Sequence, residues 1–385
     1  MMQRSISILG ATGSIGASTL DLIRRERGRW RVVALTANGN AGDLAKLARE
    51  FAAEVAVVAD EAQLPVLREA LAGSGIAASG GPSALVEAAS RPADLVIAAI
   101  VGCAGLAPTM AVIEQGGIIG LANKEALVSA GDVMTTAVAR CGATLLPVDS
   151  EHNAIFQCLA GNDAAHVRSI TLTASGGPFR DWTHEQLAAA TPAQAVKHPN
   201  WDMGAKISVD SATMFNKGLE LIEAFHLFPV GLESLRIIVH PQSIVHSMVE
   251  YRDGSTLAQL GPSDMRVPIA SVLAWPRRMA TPCARLDLAA IGELTFRAPD
   301  EDRFPATRLA REAAQAGGAA PAVLNAANEI AVAAFLAGQI AFTRIAAHVA
   351  SVLSCFSPPA PRSLEDVMAL DAEARIRARA LMEPA

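Results

Sequence analysis

Two carboxylates lie at the end of the predicted strand Ala143–Asp149. Asp149 and Glu151 are two residues apart, so an extended chain would point both side chains to the same side. Carboxylate oxygens placed in this way suit a hard divalent cation such as Mg²⁺ or Mn²⁺. A helix start explains the same residues equally well, because Asp149 or Ser150 can cap a helix that has Glu151 in its first turn. The local sequence leaves both interpretations open.

A third carboxylate, Glu220, lies on a helix predicted from about Ala212 to Phe228. Its spacing from Asn216 and Lys217 places the three polar side chains on one helix face. Ser211 is positioned to cap this helix, where it could also bind a phosphate. The alternative is a solvent-exposed Lys217–Glu220 ion pair that contributes roughly 0.3 kcal/mol. The presence of this third acidic residue favours a metal site, rather than a helix cap, as the function of Asp149 and Glu151.

Two loops could hold an anion. Ser175 and the two glycines after it follow the predicted strand Ser169–Thr173, and they offer a hydroxyl with close backbone access. The loop 198–204 begins with His198, and Trp201 follows between Pro199 and Gly204, as in a lid. Taken singly, the first is better explained as a hairpin turn and the second as a packed tryptophan corner.

A glycine-rich segment follows the first predicted strand, Ser5–Gly10. The run GATGSIG at 10–16 opens the next predicted helix. Glycine lets the backbone turn tightly and approach a pyrophosphate, and the helix N-terminus presents N–H groups to it. This position between strand and helix predicts a dinucleotide site, and the binding residues that we assign to it are Thr12, Gly13, Ser14 and Ile15.

The turn after the second predicted strand bears on which dinucleotide binds. An NAD site usually has an Asp or Glu here to bind the ribose hydroxyls, whereas this chain has Asn38, Gly39 and Asn40. Because no acid is present to repel a 2′-phosphate, NADP is favoured. The turn also lacks an Arg or Lys to bind that phosphate, and its residues fit an ordinary turn equally well.

The scaffold that positions these residues is predicted from hydrophobic patterning. Apolar runs alternate with amphipathic helical segments over the first 150 residues, which indicates βαβ units and a parallel, Rossmann-like sheet. The predicted strands are Ser5–Gly10, Arg31–Ala37, Glu54–Ala59, Asp94–Ile100, Gly117–Ala122 and Ala143–Asp149. The predicted fold class is α/β, with an N-terminal NADPH-binding domain (1–149), a central α+β catalytic and metal-binding domain (150–274), an extended connector (275–304) and a C-terminal helical bundle (305–385).

Composition excludes several classes of protein. The chain has 385 residues, 51% of them hydrophobic, and a net charge of −6 without a basic stripe, so we expect no nucleic-acid partner. Five cysteines without a CxxC pair indicate reduced thiols in the cytoplasm rather than disulfides. No signal peptide is predicted. Glycines and a proline interrupt the uncharged stretch Leu95–Ile113, so we expect a strand, a loop and a helix there rather than a membrane span.

Taken together, these segments resemble the 1-deoxy-D-xylulose 5-phosphate reductoisomerase family over essentially the whole chain. The most specific run is KHPNWDMGAKISVDSATMFNKGLELIEAFHLF at 197–228. Further matching runs are GATGSIG at 10–16, LANKEALVSAG at 121–131, LPVDSEHNAIFQ at 146–157, TASGGPFRDW at 173–182, HPQSIVHSMVEYRDGS at 240–255 and LNAANEIAVAAFLAG at 324–338. The chain departs from the family at the turn 38–40, where many members have a basic residue, which implies a smaller preference for NADPH.

The resemblance implies conversion of 1-deoxy-D-xylulose 5-phosphate to 2-C-methyl-D-erythritol 4-phosphate in the non-mevalonate route to isoprenoid precursors. The skeleton would rearrange by retro-aldol and aldol steps, and NADPH would reduce the resulting aldehyde. A divalent cation (Mn²⁺, Mg²⁺ or Co²⁺) that holds substrate oxygens would stabilise the enolate charge. The family also implies a homodimer.

The resemblance also assigns roles to residues of this chain. The implied metal ligands are Asp149, Glu151 and Glu220, and Lys124 and His198 join them as catalytic residues. The implied substrate-binding residues are Lys124, Ser150, Glu151, Ser175, His198, Ser211, Asn216, Lys217 and Glu220. Asn123, Glu125 and Gly204 are implied on the NADPH side.

Two other classes share the glycine-rich start. A semialdehyde dehydrogenase needs an activated cysteine nucleophile, and neither Cys103 nor Cys158 has an obvious partner motif. A non-enzymatic regulator that senses a dinucleotide predicts no carboxylate triad and usually a DNA-binding module, and the sequence has no basic helix-turn-helix. Oxidation of NADPH with the pentulose phosphate, with and without Mn²⁺, separates these classes from the enzyme.

Overall fold

The structure is a computed structural model that describes residues 3–201 and 203–382. Asp202, in the predicted lid loop, therefore lies outside the described residues. The chain divides into two compact units. The first comprises Met1–Ala126, Met134–Asn153 and Met265–Cys283, and the second comprises Leu127–Val133, Ala154–Asp264 and Ala284–Ala385.

The first unit contains a seven-stranded sheet. Its strands are β1 (Arg4–Leu9), β2 (Trp30–Ala37), β3 (Val55–Val58), β4 (Ala77–Gly80), β5 (Leu95–Ala98), β6 (Ile118–Leu121) and β7 (Thr144–Pro147). All neighbours pair in parallel, in the order β4-β3-β2-β1-β5-β6-β7. Strands such as β3 and β5 are buried along their whole length, which explains their continuous apolar sequence. The predicted Rossmann-like α/β sheet is confirmed.

The second unit contains a four-stranded mixed sheet. Its strands are β8 (Val167–Ala174), β9 (Leu235–Val239), β10 (Val245–Tyr251) and β11 (Thr256–Leu260). Their order is β11-β10-β8-β9; β8 pairs with β9 in parallel and with β10 in antiparallel orientation. The parallel pair ends at Ala174 and Val239, so the loops after these two strands begin side by side.

Helices and short connections make up the rest of the described chain. The helices are α1 (Ser14–Arg25), α2 (Ala41–Glu50), α3 (Leu64–Leu71), α4 (Pro82–Ala89), α5 (Leu106–Glu114), α6 (Lys124–Cys141), α7 (Ser150–Leu159), α8 (His184–Ala188), α9 (Pro192–Ala195), α10 (Ala205–Thr213), α11 (Phe215–Leu227), α12 (Arg266–Ala274), α13 (Leu288–Ile291), α14 (Ala306–Ala316), α15 (Ala320–Leu336), α16 (Arg344–Cys355) and α17 (Leu364–Ala380). Short 3-10 turns lie at Arg27–Arg29, Glu61–Gln63, Cys103–Gly105, Ala164–His166 and Leu232–Ser234.

Two segments belong to different units from those that the predicted domain boundaries suggest. Helix α12 packs in the first unit, where Arg266 pairs with Asp21 of α1 at 3.0 Å. The C-terminal region is helical, as predicted, but α14–α17 share one apolar core with the sheet β8–β10 and with α11. The predicted connector divides, with 275–283 in the first unit and the remainder in the second. The assignment of functions to the four predicted segments stays a prediction.

The predicted helix from Ala212 to Phe228 is wrong at its start. Helix α10 ends at Thr213, Met214 adopts a left-handed conformation with φ of +68°, and α11 then begins at Phe215. Ser211 consequently lies in the last turn of α10 and is not the cap of the following helix. Methionine rarely adopts positive φ, so no residue type in the sequence indicates this break.

Two strands are absent from the prediction. β4 has the sequence AASG and β11 has the sequence TLAQL, and both lie at sheet edges with largely unburied side chains. Neither has the run of buried branched residues on which the prediction relied. The uncharged stretch at 95–113 does form a strand, a loop and a helix, as expected. Among the described residues, no helix combines the length and the apolar character needed to span a bilayer.

Candidate active site

The predicted dinucleotide loop forms the tight turn between β1 and α1. Gly10 has a φ of +90°, and a Cβ there would lie 2.6 Å from the carbonyl oxygen of Ala99, so only glycine fits. Gly13 is the N-cap residue of α1 and has no side chain to satisfy the first N–H groups of that helix. Gly13 and Ser14 are exposed. The loop therefore leaves a helix N-terminus accessible to an anionic group.

The turn at 38–40 has a structural function and an acidic neighbour. Asn40 caps α2 by accepting from the backbone N–H of Asp43 at 3.2 Å, so the ordinary-turn interpretation holds for this residue. A Cβ at Gly39 would lie 3.8 Å from Oδ2 of Asp60, which follows β3. The sequence places no acid in the turn, but the parallel pairing of β2 with β3 brings one beside it.

Asp60 should weaken the preference for NADPH over NADH. A carboxylate beside the turn disfavours a 2′-phosphate, so Asp60→Asn should raise the ratio of kcat/KM for NADPH to that for NADH about threefold. The substituted side chain could still cap the turn at Ala62, whose N–H donates to Asp60 Oδ1 at 3.0 Å. Gly39→Arg should raise the ratio about tenfold, and more when combined with Asp60→Asn. Equal kcat/KM values for the two cofactors in the wild type would contradict the predicted NADPH preference, and an unchanged ratio in Asp60→Asn would remove the carboxylate from this account.

Asn123 holds the start of α6 against a glycine-containing loop. Its Oδ1 accepts from the N–H of Ala126 at 3.2 Å, and its Nδ2 donates to the carbonyl of Gly102 at 2.9 Å. Both Asn123 and Glu125 are buried in the first unit. Gly204, the third residue implied on the NADPH side, is exposed at the N-cap of α10 in the second unit.

Asp149 is both a helix cap and half of a carboxylate pair. The chain turns into α7 at Ser150, so the extended path assumed from the sequence is wrong. Asp149 Oδ1 accepts from the backbone N–H of Glu151 at 3.1 Å, which is the N-cap bond. Carboxylate oxygens of Asp149 and Glu151 nevertheless lie within 4.8 Å of each other. The cap and the metal-type pair therefore exist together.

Basic and polar groups surround this carboxylate pair. The Lys124 ammonium lies 2.8 Å from Asp149 Oδ2, with both side chains largely buried. His152 is fully buried, and its Nδ1 lies 3.2 Å from Asp149 Oδ1. Ser150 Oγ donates to Glu151 Oε2 at 2.8 Å. The first unit thus groups Lys124 with Asp149, Ser150 and Glu151. The sequence did not predict the contact between His152 and the Asp149 carboxylate.

Glu220 is buried at the start of α11. It is 0% exposed and Lys217 is 4% exposed, so the alternative of a solvated ion pair is wrong. Its two carboxylate oxygens accept separately from Asn216 Nδ2 and Lys217 Nζ. A buried carboxylate is costly unless it is paired and hydrogen-bonded. The second unit therefore maintains a desolvated negative charge held by two donors.

The Ser175 loop lies against the last turn of α10. Gly177 has a φ of +69°, and a Cβ there would lie 2.6 Å from the carbonyl oxygen of Ser211. Gly177 N donates to Ser175 Oγ at 3.1 Å. The glycine thus allows the loop after Ser175 to pass close to the backbone of Ser211, shortly before α11 begins at Phe215. Two serines, a helix N-terminus and Lys217 form a set of donors that suits a phosphate.

His198 is held as a neutral imidazole beside Ser175. Its Nδ1 accepts from the backbone N–H groups of Asn200 at 3.2 Å and Trp201 at 3.0 Å. The proton of the neutral ring must then lie on Nε2, which is 2.9 Å from Ser175 Oγ. Burial, and secondarily the positive charge of Arg180, lowers the pKa of His198 to about 4.

His198 should make stability depend on pH. Its pKa is lower in the folded chain than the ordinary 6.5, so the folded state favours the neutral ring. This contribution is complete above pH 6.5 and is lost as the pH falls through about 4. In urea unfolding between pH 7.5 and 4.5, the wild type should therefore lose more stability than His198→Asn, whose amide oxygen can still accept from the two N–H groups. Equal losses in the two proteins would refute the neutral, acceptor role of Nδ1.

The chain is similar to reductoisomerases along its whole length. Family models described as 1-deoxy-D-xylulose 5-phosphate reductoisomerase and its C-terminal domain match residues 6–131 and 145–228, and a DXP reductoisomerase C-terminal domain matches 260–377. The 1-deoxy-D-xylulose 5-phosphate reductoisomerase of Zymomonas mobilis subsp. mobilis is 59% identical over 380 residues, which cover 99% of this chain and 98% of the relative.

Solved structures match equally completely. The Zymomonas mobilis reductoisomerase in complex with NADPH is 57% identical, covers 100% of both chains and superposes with a TM-score of 0.95. A DOX-P reductoisomerase in complex with NADPH, fosmidomycin and magnesium is 45% identical, covers 99% of this chain and 98% of that one, and has a TM-score of 0.93.

Proposed function

This chain belongs to the 1-deoxy-D-xylulose 5-phosphate reductoisomerase family, and we propose from that membership which of its side chains perform the family's reaction. The protein is an NADPH- and divalent-metal-dependent enzyme that rearranges and reduces 1-deoxy-D-xylulose 5-phosphate to 2-C-methyl-D-erythritol 4-phosphate. The semialdehyde dehydrogenase alternative is not favoured. Burial raises the pKa of Cys158 to about 11, which is the opposite of what an activated nucleophile needs.

Asp149, Glu151 and Glu220 would hold the divalent cation. The fit follows from the donors: Asp149 and Glu151 offer carboxylate oxygens within 4.8 Å of each other, and Glu220 is a buried carboxylate. All three offer hard oxygen ligands, as Mg²⁺ and Mn²⁺ prefer. When bound, the cation supplies Lewis-acid stabilisation of negative charge on substrate oxygens. The burial of Glu220 in a family with a magnesium-containing member is the observation that carries this assignment.

The second unit binds the phosphate end of the substrate. Ser175, Ser211 and the N-terminus of α11 supply donors, and the Lys217 ammonium supplies positive charge. Asn216 donates to Glu220 in the structure and can donate to the substrate from the same helix turn. His198 donates from Nε2, because its Nδ1 is occupied as an acceptor. Firm binding of this non-reacting end orients the carbon chain for the chemical steps.

The first unit acts on the reacting oxygens. Lys124, held against Asp149 at 2.8 Å, places an ammonium that can donate to an oxygen on which charge develops. Ser150 Oγ hydrogen-bonds Glu151 Oε2 at 2.8 Å, so this hydroxyl and carboxylate can pass a proton between themselves and a substrate hydroxyl. Each of these groups sits at the start of α6 or α7, on rigid secondary structure rather than on a mobile loop.

NADPH binds at the glycine-rich turn of the first sheet. Thr12, Gly13, Ser14 and Ile15 would contact its phosphates through the N-terminus of α1. The turn 38–40 would meet the adenosine ribose, and Asn123, Glu125 and Gly204 are assigned to the NADPH side. Closure of the loop 198–204 over the substrate stays a prediction.

The assignment of the phosphate donors is tested with a truncated substrate. We expect the purified protein with Mn²⁺ and NADPH to convert the pentulose phosphate to 2-C-methyl-D-erythritol 4-phosphate, identified by ¹³C NMR. The same sugar without its phosphate should react at least about a thousandfold more slowly in kcat/KM. Comparable turnover of both sugars would contradict the phosphate role of Ser175, Ser211 and Lys217 while leaving the reaction assigned.

We also propose that the enzyme works as a cytoplasmic homodimer. The family resemblance supports the dimer, and cysteines without a CxxC pair support a reducing compartment. Sedimentation velocity at micromolar concentration should give about twice the mass of the 40.0 kDa chain. A monomer at that concentration would contradict the dimer.

A further inference from the structure

A closed ring of hydrogen bonds surrounds the base of the Ser175 loop. His198 Nε2 meets Ser175 Oγ at 2.9 Å, and His198 Nδ1 accepts from the backbone of Asn200. On the other side, the backbone N–H of His240, directly after β9, donates to the carbonyl of Ala174 at 2.7 Å. Ala174 immediately precedes Ser175, so the two arms start from neighbouring residues.

Asn200 closes this ring through its side chain. Its Nδ2 donates to the carbonyl of Pro241 at 2.7 Å and to Ser243 Oγ at 2.9 Å. Ser243 is buried and has a φ of +52°, and its N–H donates to the carbonyl of His240 at 3.0 Å. One amide group thus joins the loop that carries His198 to the turn between β9 and β10.

The turn to which Asn200 is attached is itself firmly fixed. His240 is fully buried, its Nδ1 lies 2.8 Å from the carbonyl of Thr295, and its Nε2 accepts from the N–H of Ile244 at 3.2 Å. Its ring stacks on Phe296 at 4.7 Å between centroids. Two hydrogen bonds and one stacking contact hold the His240 ring, so this turn gives the Asn200 amide fixed partners. The loop 198–201 alone has mostly local hydrogen bonds.

We propose that Asn200 is a positioning residue for substrate binding: its side-chain amide fixes the turn whose N–H groups hold the His198 imidazole against Ser175. Without this amide, the N–H groups of residues 200 and 201 lose their fixed direction, and the imidazole loses the contact that orients Nε2. The consequence for catalysis rests on the proposed function, in which Ser175 and His198 bind the substrate's phosphate end.

Steady-state kinetics and hydrogen exchange on the full-length protein test this role. Asn200→Ala should raise the KM for the sugar phosphate about tenfold or more and change the KM for NADPH less than about twofold. In the protein without ligands, the backbone N–H groups at 200 and 201 should exchange at least about tenfold faster. Asn200→Asp has nearly the same shape, but its carboxylate cannot donate to the carbonyl of Pro241 and can only accept from the Ser243 hydroxyl, so exchange at 200 and 201 should be faster in this variant as well.

Asn162→Ala is the matched control, because Asn162 Nδ2 also donates to a backbone carbonyl, that of Cys158 at 3.2 Å, on an exposed part of the same unit. It should leave the KM and exchange at 200 and 201 unchanged. Should Asn200→Ala not fold, Ser243→Ala removes one of the two acceptors, and faster exchange at 200 and 201 would support the proposal.

Two outcomes would overturn the proposal. One is wild-type exchange at 200 and 201 in Asn200→Asp or in Ser243→Ala; the other is a KM for the sugar phosphate that stays within twofold of wild type in folded Asn200→Ala. Exchange does not depend on turnover, so a wild-type protein inactive toward the pentulose phosphate would refute the proposed function while exchange still decides the role of Asn200.

Discussion

Glu220→Gln should lower metal-dependent turnover on the order of a thousandfold, or about 4 kcal/mol of transition-state stabilisation. Glutamine keeps the size and can still meet Asn216, but it removes one of three negative charges proposed to hold the cation. Affinity for Mn²⁺ should fall, whereas affinity for NADPH should barely change because the cofactor's phosphates are assigned to the loop 10–16. The measurement is kcat/KM for the sugar phosphate across a Mn²⁺ titration, beside NADPH binding by fluorescence.

The matched control for Glu220→Gln is Glu312→Gln. Glu312 forms an i,i+4 ion pair with Arg308 at 2.9 Å on an exposed face of α14, the kind of solvated pair that the sequence also allowed for Lys217 and Glu220. This variant should remain within twofold of wild type in both measurements. Turnover of Glu220→Gln within about threefold of wild type at saturating Mn²⁺ would remove Glu220 from the metal site.

Asp149→Asn should separate the two functions of Asp149. Asparagine can still accept from the N–H of Glu151, so the cap on α7 remains. The lost charge weakens the carboxylate pair and the contact with Lys124. We expect kcat/KM for the sugar phosphate to fall at least about a hundredfold, with partial recovery as Mn²⁺ is raised.

Asp163→Asn provides the corresponding cap control. Asp163 accepts from the N–H of Ala165 at 2.9 Å at an exposed 3-10 turn, and the same substitution there should change neither kinetics nor Mn²⁺ dependence. If Asp149→Asn kept near-normal turnover, Asp149 would be a helix cap only.

The inner strands of the first sheet were predictable because buried parallel strands have continuous apolar sequences. Strands β3 and β5 are continuous apolar runs, and parallel sheets covered on both faces require such runs. Edge strand β4, with small residues and partial exposure, carries no such pattern. The split between α10 and α11 was also unpredictable, because a methionine occupies the left-handed position where glycine would have marked a break.

The chemistry of the site was predictable in residue type but not in environment. Asn216, Lys217 and Glu220 look like a solvated helix face in sequence, and only packing decides otherwise. Gly218 lets α11 approach α14 so closely that a Cβ at 218 would lie 2.8 Å from Ala310 Cβ, and the start of α11 is buried. Asp60 beside Gly39 and Asn200 beside Ser243 likewise result from neighbouring elements that sequence spacing does not connect.

The most direct test of the account is NADPH oxidation by the purified protein with 1-deoxy-D-xylulose 5-phosphate, after metal removal by a chelator and again after Mn²⁺ is restored. We predict that turnover disappears with the chelator, returns with Mn²⁺, and yields one 2-C-methyl-D-erythritol 4-phosphate per NADPH consumed. Turnover that persists without a divalent cation, or no turnover of this substrate when Mn²⁺ is present, would contradict a metal-dependent reductoisomerase built on Asp149, Glu151 and Glu220.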